Sequence, residues 1–491
     1  MKKLLQISCI VLFAFSSAKA SYILNDNVKE AYLNIYSLHL DAADSIIQQE
    51  VKVNPKNDFI SYLRFNLGFT KIFISEDEAV YLELEKAMNN YINRIKSSNE
   101  NSPWRGTCLS EMYMLRSALK LKFGRNVKSG FDGIKAYNFA EETKENHPEF
   151  KPCWLNWGLM NVAVGSVPDS YKGLVSALGF DGDIEHGMDF IEESWKDSQL
   201  EGNEFLSPKS TLIYGYTSLQ LNQNRLTSLE DLDLKEDFRK NNLLVYLESK
   251  FLQHKRDNTA LIELLEQRDK SNSVYPINYL YFVEGKAKTS ALLDSAEVPF
   301  YYYLENYKGN NFVKSTHFRL AAYFYLQGDL EKSQLHKSKI LSTGHLFTGA
   351  DKMAEEMASR DFNYTLLLSQ AHFDNGLYDS ALSVLTKPLN YCITNTDSVE
   401  MYYRLGRVYE AEGKDLDAIG SFKMAIETSD GRSTYFSANS AMQLALILER
   451  KKMYASSRYY LKLTLAFKDY PFQDGIQQQA KAVTKRVEKL N

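Results

Sequence analysis

Between Val399 and Asp430, small and large side chains follow a register that two closely crossing helices satisfy: Tyr402, Leu405, Gly406, Tyr409, Gly413, Ala418, Phe422 and Ala425. Residues three or four apart share one helical face. Gly406, Ala418 and Ala425 remove bulk where the two backbones approach, while Tyr402, Leu405, Tyr409 and Phe422 fill the space between them. The same slots recur, less completely, in three other stretches. From Phe362 they hold Leu368, Ser369, Gly376, Tyr378, Ala381 and Leu385; from Ala438, Leu444, Ala445, Leu448, Tyr454, Ser457 and Leu461; from Lys314, Leu320, Ala321, Phe324, Gly328, Leu330 and Ser333. Near the amino end Ala43, Ile47 and Pro55 keep the second-helix spacing. A single unit of this kind cannot bury its apolar face, so units stack on their neighbours and chain length counts repeats rather than separate cores.

This is the tetratricopeptide (TPR) pattern, with starts less regular than its usual period of about 34 residues. It predicts an all-α fold, a TPR-like superhelix of helical hairpins (an α-solenoid). Runs of alternating β-branched residues are missing, and the turns fall at prolines. Asn54-Pro55, Asn101-Ser102-Pro103, His147-Pro148, Ser207-Pro208 and Tyr275-Pro276 read as turns or helix starts, because proline suits a first helical turn and disfavours helix in the residue before it. The expected organisation is a leader over 1–20, amino-terminal repeats over 21–150, a central helical region over 151–310 and carboxy-terminal TPR-like repeats over 311–491.

The leader has Lys2 and Lys3, an apolar stretch around Ile10 to Phe15, and Ala18-Lys19-Ala20 before Ser21. That order is the pattern of a cleaved secretory signal, and it predicts an exported protein, periplasmic or envelope-bound in a Gram-negative cell. The apolar stretch falls short of the roughly 20 residues that cross a bilayer, and no later segment is apolar for long enough. Cys9 lacks the surroundings of a lipoprotein signal. The net charge is −4, and loss of Lys2, Lys3 and Lys19 makes it more negative. Lys and Arg are interspersed with Asp and Glu, which argues against a nucleic-acid partner. The remaining cysteines, Cys108, Cys153 and Cys392, are odd in number and far apart. A Cys108–Cys153 bridge is compatible with export, but burial as small apolar residues is the preferred reading.

The stretch from Trp157-Gly158 to Glu193, with Pro168, Leu174, Leu178, Gly179, Phe180, Gly182, Asp183 and Gly187 at its centre, resembles the signature of the tetratricopeptide repeat protein 39 family and its fungal inclusion-body-clearance relatives. A second stretch, Tyr307-Lys308-Gly309-Asn310-Asn311-Phe312-Val313-Lys314 followed by Leu320-Ala321 and Gly328-Asp329, is similar to that family's block before its last repeats. The resemblance covers roughly Cys153 to Leu330, and Ala322 departs from the aromatic residue the family tends to carry. It implies a helical repeat scaffold without a known catalytic site, some members being linked to lipid storage and protein quality control. The eukaryotic members have no secretory signal, so their cellular roles do not transfer.

From the residues alone, Leu178 to Asp183 reads as a helix stop followed by a new start, Gly182 taking a positive φ and Asp183 capping the next helix. Asp181, Asp183, Glu185, Asp189 and Glu192 match a calcium-loop spacing, but His186 stands where that loop needs glycine. None of the eight histidines forms a metal-ligand spacing, and the separation of His336 and His345 argues against a shared metal. Gly309 to Ser315 lacks the glycine before the lysine that a phosphate loop requires, and no Gly-x-Ser-x-Gly elbow occurs. No catalytic residue, metal or cofactor is predicted. In the cluster Phe300-Tyr301-Tyr302-Tyr303, consecutive helical residues point in different directions, so one or two rings are expected in the core and the others outside.

Candidate binding residues follow from repeat geometry, in which positions 2, 5, 9 and 12 of each first helix line the concave surface. In the last repeats these are Ser315, Phe318, Ala322 and Tyr325; Asn363, Leu366, Gln370 and Phe373; Glu400, Tyr403, Arg407 and Glu410; and Asn439, Met442, Leu446 and Glu449. Tyr325, Asn363, Gln370, Phe373, Tyr403, Arg407 and Glu410 are the predicted partner-binding set, since aromatic and Arg side chains dominate binding hot spots. The sequence therefore predicts a scaffold or adaptor that binds a protein or peptide in its concave surface. The competing expectation is a lipid or small-ligand carrier with an aromatic-lined pocket. An open groove with polar side chains favours the first, a closed apolar pocket the second.

Overall fold

The computed structural model describes residues 22–98, 101–167, 179–221, 225–232, 234, 237–387 and 394–488. The leader, Pro168, Leu174, Leu178 and Cys392 lie outside them. Among the described residues there is helix and turn but no strand, and consecutive helices pack pairwise as hairpins, a TPR-like helical repeat. The chain divides into two compact units, Met1–Leu247 with Asp269–Pro276, and Glu248–Arg268 with Ile277–Asn491. The division falls inside the 151–310 stretch.

The first unit contains α1 (Asp26–Tyr36), α2 (Leu40–Val53), α3 (Phe59–Ser75), α4 (Glu78–Lys96), α5 (Pro103–Lys122), α6 (Asn126–Asn146), α7 (Trp154–Gly165), α8 (Ile184–Ser198) and α9 (Ser207–Gln220). Its helix starts are chemically marked. Asn25, Asp77 and Asp183 each accept a hydrogen bond from a first-turn amide, and Pro103 and Pro208 occupy first turns. Cys108 and Cys153 are buried free thiols.

The glycines of the central motif act through close approach. A Cβ on Gly158 would lie 2.6 Å from the Gly187 carbonyl oxygen, and one on Gly187 would lie 2.7 Å from that of Gly158. Glycine is thus required where α7 crosses α8. Gly182 corrects the sequence reading: its φ is not positive, and its place is explained by a would-be Cβ 2.7 Å from both the Asn161 carbonyl oxygen and the Gly165 nitrogen. The positive φ, 83°, belongs to Gly179. Asp183 caps α8 as expected, accepting from the His186 amide at 2.7 Å. The acidic residues that follow turn to a cation of the protein itself, Glu185, Asp189 and Glu192 meeting Arg225 at 2.8, 2.8 and 3.2 Å.

Helix α10 (Asn242–Lys255) carries the chain from the first unit into the second. There follow α11 (Asn258–Gln267), α12 (Asn278–Ser290), α13 (Val298–Asn306), α14 (Val313–Leu326), α15 (Leu330–Ser342), α16 (Gly349–Ala358), α17 (Tyr364–Asp374), α18 (Tyr378–Leu385), α19 (Asn395–Ala411), α20 (Asp415–Thr428), α21 (Tyr435–Arg450), α22 (Tyr454–Ala466) and α23 (Gln473–Glu488). Ala418, Phe422 and Ala425 are fully buried between α19 and α20, and a Cβ on Gly406 would fall 2.5 Å from the Phe422 ring. In two weaker repeats the small slot holds serine for a visible reason. Ser333 Oγ donates to the Ala321 carbonyl at 2.8 Å, and Ser457 Oγ to the Ala445 carbonyl at 2.9 Å, so the hydroxyl is satisfied where the helices cross. Phe300 and Tyr303 are buried while Tyr301 and Tyr302 reach the surface at 40% and 37% exposure, the split expected of that cluster.

Candidate functional site

The second unit encloses a cavity of about 390 Å³ whose walls come from α10 to α12, α14, α16 to α19 and α21. Two neighbouring hollows continue it. One shares Ser290, Phe318, Arg319, Gln370 and Asp374 with the cavity and adds Ala322 and Leu326; the other, about 760 Å³ and more open, shares Tyr435 and Phe472 and adds Phe347, Lys352 and Asn439. Through these shared residues the cavity adjoins both hollows, and the three make up the groove of this unit.

Four of the predicted residues line the cavity: Gln370, Phe373, Tyr403 and Arg407. They come together because α17 and α19 occupy equivalent places in successive hairpins and present the same positions. The Tyr403 hydroxyl is the centre of a polar chain. Arg407 Nη1 donates to it at 3.1 Å and Asn439 Nδ2 at 2.9 Å, the Tyr435 hydroxyl is 3.2 Å away, and Gln443 Nε2 donates to Asn439 Oδ1 at 3.2 Å. Burial opposes the Arg407 charge, but Tyr403 and Glu410 hold it firmly protonated, above its ordinary pKa. The Phe373 ring lies between two guanidinium groups, 4.5 Å from Arg256 and 5.7 Å from Arg407, a cation–π arrangement that fixes the ring at the cavity wall.

The other three predicted residues stand elsewhere and do local structural work. The Tyr325 hydroxyl donates to the Phe362 carbonyl at 3.1 Å with its ring packed on Phe362. Asn363 caps α17, its Oδ1 accepting from the Leu366 amide. Glu410 is drawn to Arg407 and Arg450, at 3.4 and 3.6 Å. Glu400, also on the expected concave face, is buried as the acceptor for Arg360 and Arg404. His336 meets His317 and Tyr301, whereas His345 stacks on Phe347, so the two histidines have different surroundings.

The cavity's charge is the feature the sequence reading missed. In a chain of net charge −4, five cationic side chains line it, Arg256, Lys286, Arg319, Arg404 and Arg407, against one carboxylate, Asp374. Arg404 is answered by Glu400 and by Gln370, whose Oε1 accepts from it at 3.0 Å. Among the described residues no ion pair answers Arg256, Lys286 or Arg319, and Arg319 Nε is buried without a hydrogen-bond partner. Lys286 and Arg319 are half-buried and both line the cavity. Burial, the nearby Arg319 charge and Lys250 push Lys286 down to about 8, against the opposing pull of Asp374. Burial also lowers Arg319, with Asp374 and Tyr279 opposing.

A signal for these residues does exist. Arg319 is four residues after Ser315 and three before Ala322, so it shares their face, and Lys286 follows Phe282 by four and Val283 by three, a cation on a face that is apolar one turn earlier. Arg256 sits in a turn, with φ 58°, where helical periodicity gives no guidance.

No family model and no curated protein matches the chain. Among solved structures, it is similar to the human IFIT1 dimer with PPP-AAAA at a TM-score of 0.29 and 14% identity, over 95% of this chain and 95% of that one. It is similar to Cut9 in the APC/C hetero-tetramer Cut9-Hcn1 at a TM-score of 0.26 and 11% identity, over 95% and 99%. At these values the likeness carries no functional inference.

Proposed function

We propose that this protein is an exported helical-repeat scaffold whose second unit binds an extended segment of another protein in the groove built around Gln370, Phe373, Tyr403 and Arg407. One observation carries the reading: the cavity shares wall residues with two neighbouring hollows and is walled by polar and aromatic side chains together. Extended segments need length for several residues, apolar places for anchors and polar groups for the backbone. The groove offers Phe318 and Phe373 for the second need, and Gln253, Gln370 and Gln473 for the third.

The alternative reading, a carrier for a lipid or small ligand, has less support, because a wall with five cations is a poor bed for an acyl chain. Export rests on the order of Lys2, Lys3, the apolar stretch and Ala18-Lys19-Ala20. No described helix is long and apolar enough to cross a membrane. The resemblance to the tetratricopeptide repeat protein 39 family supports a scaffold role and supplies no partner.

Photocrosslinking in the native host tests the reading. A benzophenone side chain replacing Phe318 or Tyr435, at opposite ends of the cavity, is expected to join neighbouring residues of one and the same partner segment, while Leu341, exposed on α15, gives none. Adducts with lipid, or equal labelling from Leu341, would overturn it. Mass spectrometry of the crosslinked protein also reads its first residue, Ser21 if the leader is removed.

A further inference from the structure

The charges in the groove point to the chemistry of its occupant. We infer that the segment is acidic, and that Lys286 and Arg319 form the seat for one of its carboxylates, with Arg256 beside them. This inference rests on the groove being a peptide site.

Three observations carry it. First, the cavity concentrates cations in a protein that is acidic overall, so composition does not account for them. Second, elsewhere in the same unit buried cations are answered by the protein: Arg268 by Glu284, and Arg360 and Arg404 by Glu400. Lys286 and Arg319 are not answered, and Asp374, the one carboxylate on the wall, makes an ion pair with neither. A half-buried cation without a counter-charge is destabilising, and here two lie close enough for Arg319 to depress Lys286. A carboxylate from outside, taking charge-assisted hydrogen bonds from both, removes that repulsion. Third, the same cavity is lined by the Phe318 and Phe373 rings, so an acidic residue with an apolar neighbour fills both kinds of place at once.

A side-chain carboxylate and a free chain terminus share this chemistry. The test separates them. Two pools of random decapeptides, one with free carboxyl ends and one amidated, are passed over the immobilised full-length protein, and retained peptides are sequenced by mass spectrometry. The expected result is enrichment of Asp and Glu next to aromatic or aliphatic residues in the free pool. Equal enrichment in the amidated pool assigns the seat to side chains, and enrichment confined to the free pool assigns it to the chain end. A retained peptide, resynthesised, is expected to bind the Lys286→Gln, Arg319→Gln double variant at least about tenfold more weakly, the loss of one charge-assisted hydrogen bond. Lys286→Arg should keep most of the affinity, and Arg450→Gln, on the exposed end of α21, all of it.

Peptides retained without acidic enrichment would overturn the carboxylate seat and leave the groove standing. Retention of no peptide would overturn both. Retention of a ten-nucleotide RNA in place of acidic peptides, lost in the double variant, would overturn the carboxylate in favour of phosphate.

Discussion

The first unit closes its buried charges with internal partners, whereas the second, which pairs Arg268 with Glu284 and both Arg360 and Arg404 with Glu400, leaves two half-buried cations on a cavity wall without an ion pair. In the first, each buried carboxylate at the core is closed off by the protein. Glu111 receives Lys209 and the Tyr36 and Tyr62 hydroxyls; Asp132 receives Arg116 and Lys120 at 2.6 Å each; Glu50 receives the side-chain amides of Asn25, Asn27, Asn54 and Asn57. Burial would raise Asp132 and Glu50, yet these partners hold both below the usual carboxylate range. The space left beside Glu111 and Lys209 is about 40 Å³, room for a water and no ligand. In the second unit, Lys286 and Arg319 line a cavity of about 390 Å³ without an ion pair, Asp374 on the same wall favouring both charges but bonding to neither. A buried charge whose partners are all internal reports on folding. One left open toward a cavity reports on binding.

That contrast can be broken at either end. The largest effect belongs to Glu111→Ala, which leaves Lys209 charged and buried without its partner and is expected to cost about 3–5 kcal/mol in urea unfolding. A loss below about 1 kcal/mol, the size of an ordinary surface pair, would show that this network is not structural. Next comes Ala418→Leu in the second unit. Ala418 is fully buried in the cluster with Val399, Tyr403, Phe422 and Ala425, so the added carbons have no room, and about 1–3 kcal/mol of overpacking strain should appear as earlier thermal unfolding. This variant checks that the second unit is tightly packed, so that tolerance at Lys286 cannot be put down to looseness.

Two smaller effects depend on pH. His317 and His336, ring nitrogens 3.1 Å apart, are pushed down to about 4 by burial, aided by Lys339 and, for His317, by His336 itself. The unfolded chain binds these protons near pH 6.5, so stability should fall as pH drops from about 6.5 through 4, and replacing both with Phe should flatten the fall. Lys286 has the same sign in a window higher on the scale. Its folded pKa of about 8 is below the unfolded value of roughly 10.4, so the unfolded state holds the extra proton in that window and stability rises as pH climbs above 8. Lys286→Met should reduce that rise and leave stability at pH 7 unchanged or slightly higher. An undiminished rise would remove Lys286 from the set of strained charges.

Much of the fold was legible because its main constraint is local. The spacing of Gly406, Ala418, Phe422 and Ala425 is dictated by one helix crossing, and the weaker repeats keep Ala321 with Ser333 and Ala445 with Ser457 in the same slots. Gly182 was misread because a sequence shows that a glycine is needed without showing whether φ or proximity needs it. The site was half legible. Gln370, Phe373, Tyr403 and Arg407 lie on first helices of regular repeats, where position implies direction. Tyr325, Asn363 and Glu410 share those positions, but a neighbouring carbonyl, a helix start and a second arginine claim them first. Lys286 and Arg256 come from segments outside the regular repeats, and only folding brings them to Arg319.

The central claim is that charge left unanswered in the second unit is there for a ligand, and one paired titration tests it most directly. Affinity for a retained acidic decapeptide and the free energy of urea unfolding are measured on wild type and on the Lys286→Gln, Arg319→Gln variant. The account predicts binding at least about tenfold weaker with stability unchanged or increased. Unchanged binding together with a stability loss like that of Glu111→Ala would contradict it, and would make these two cations part of the core.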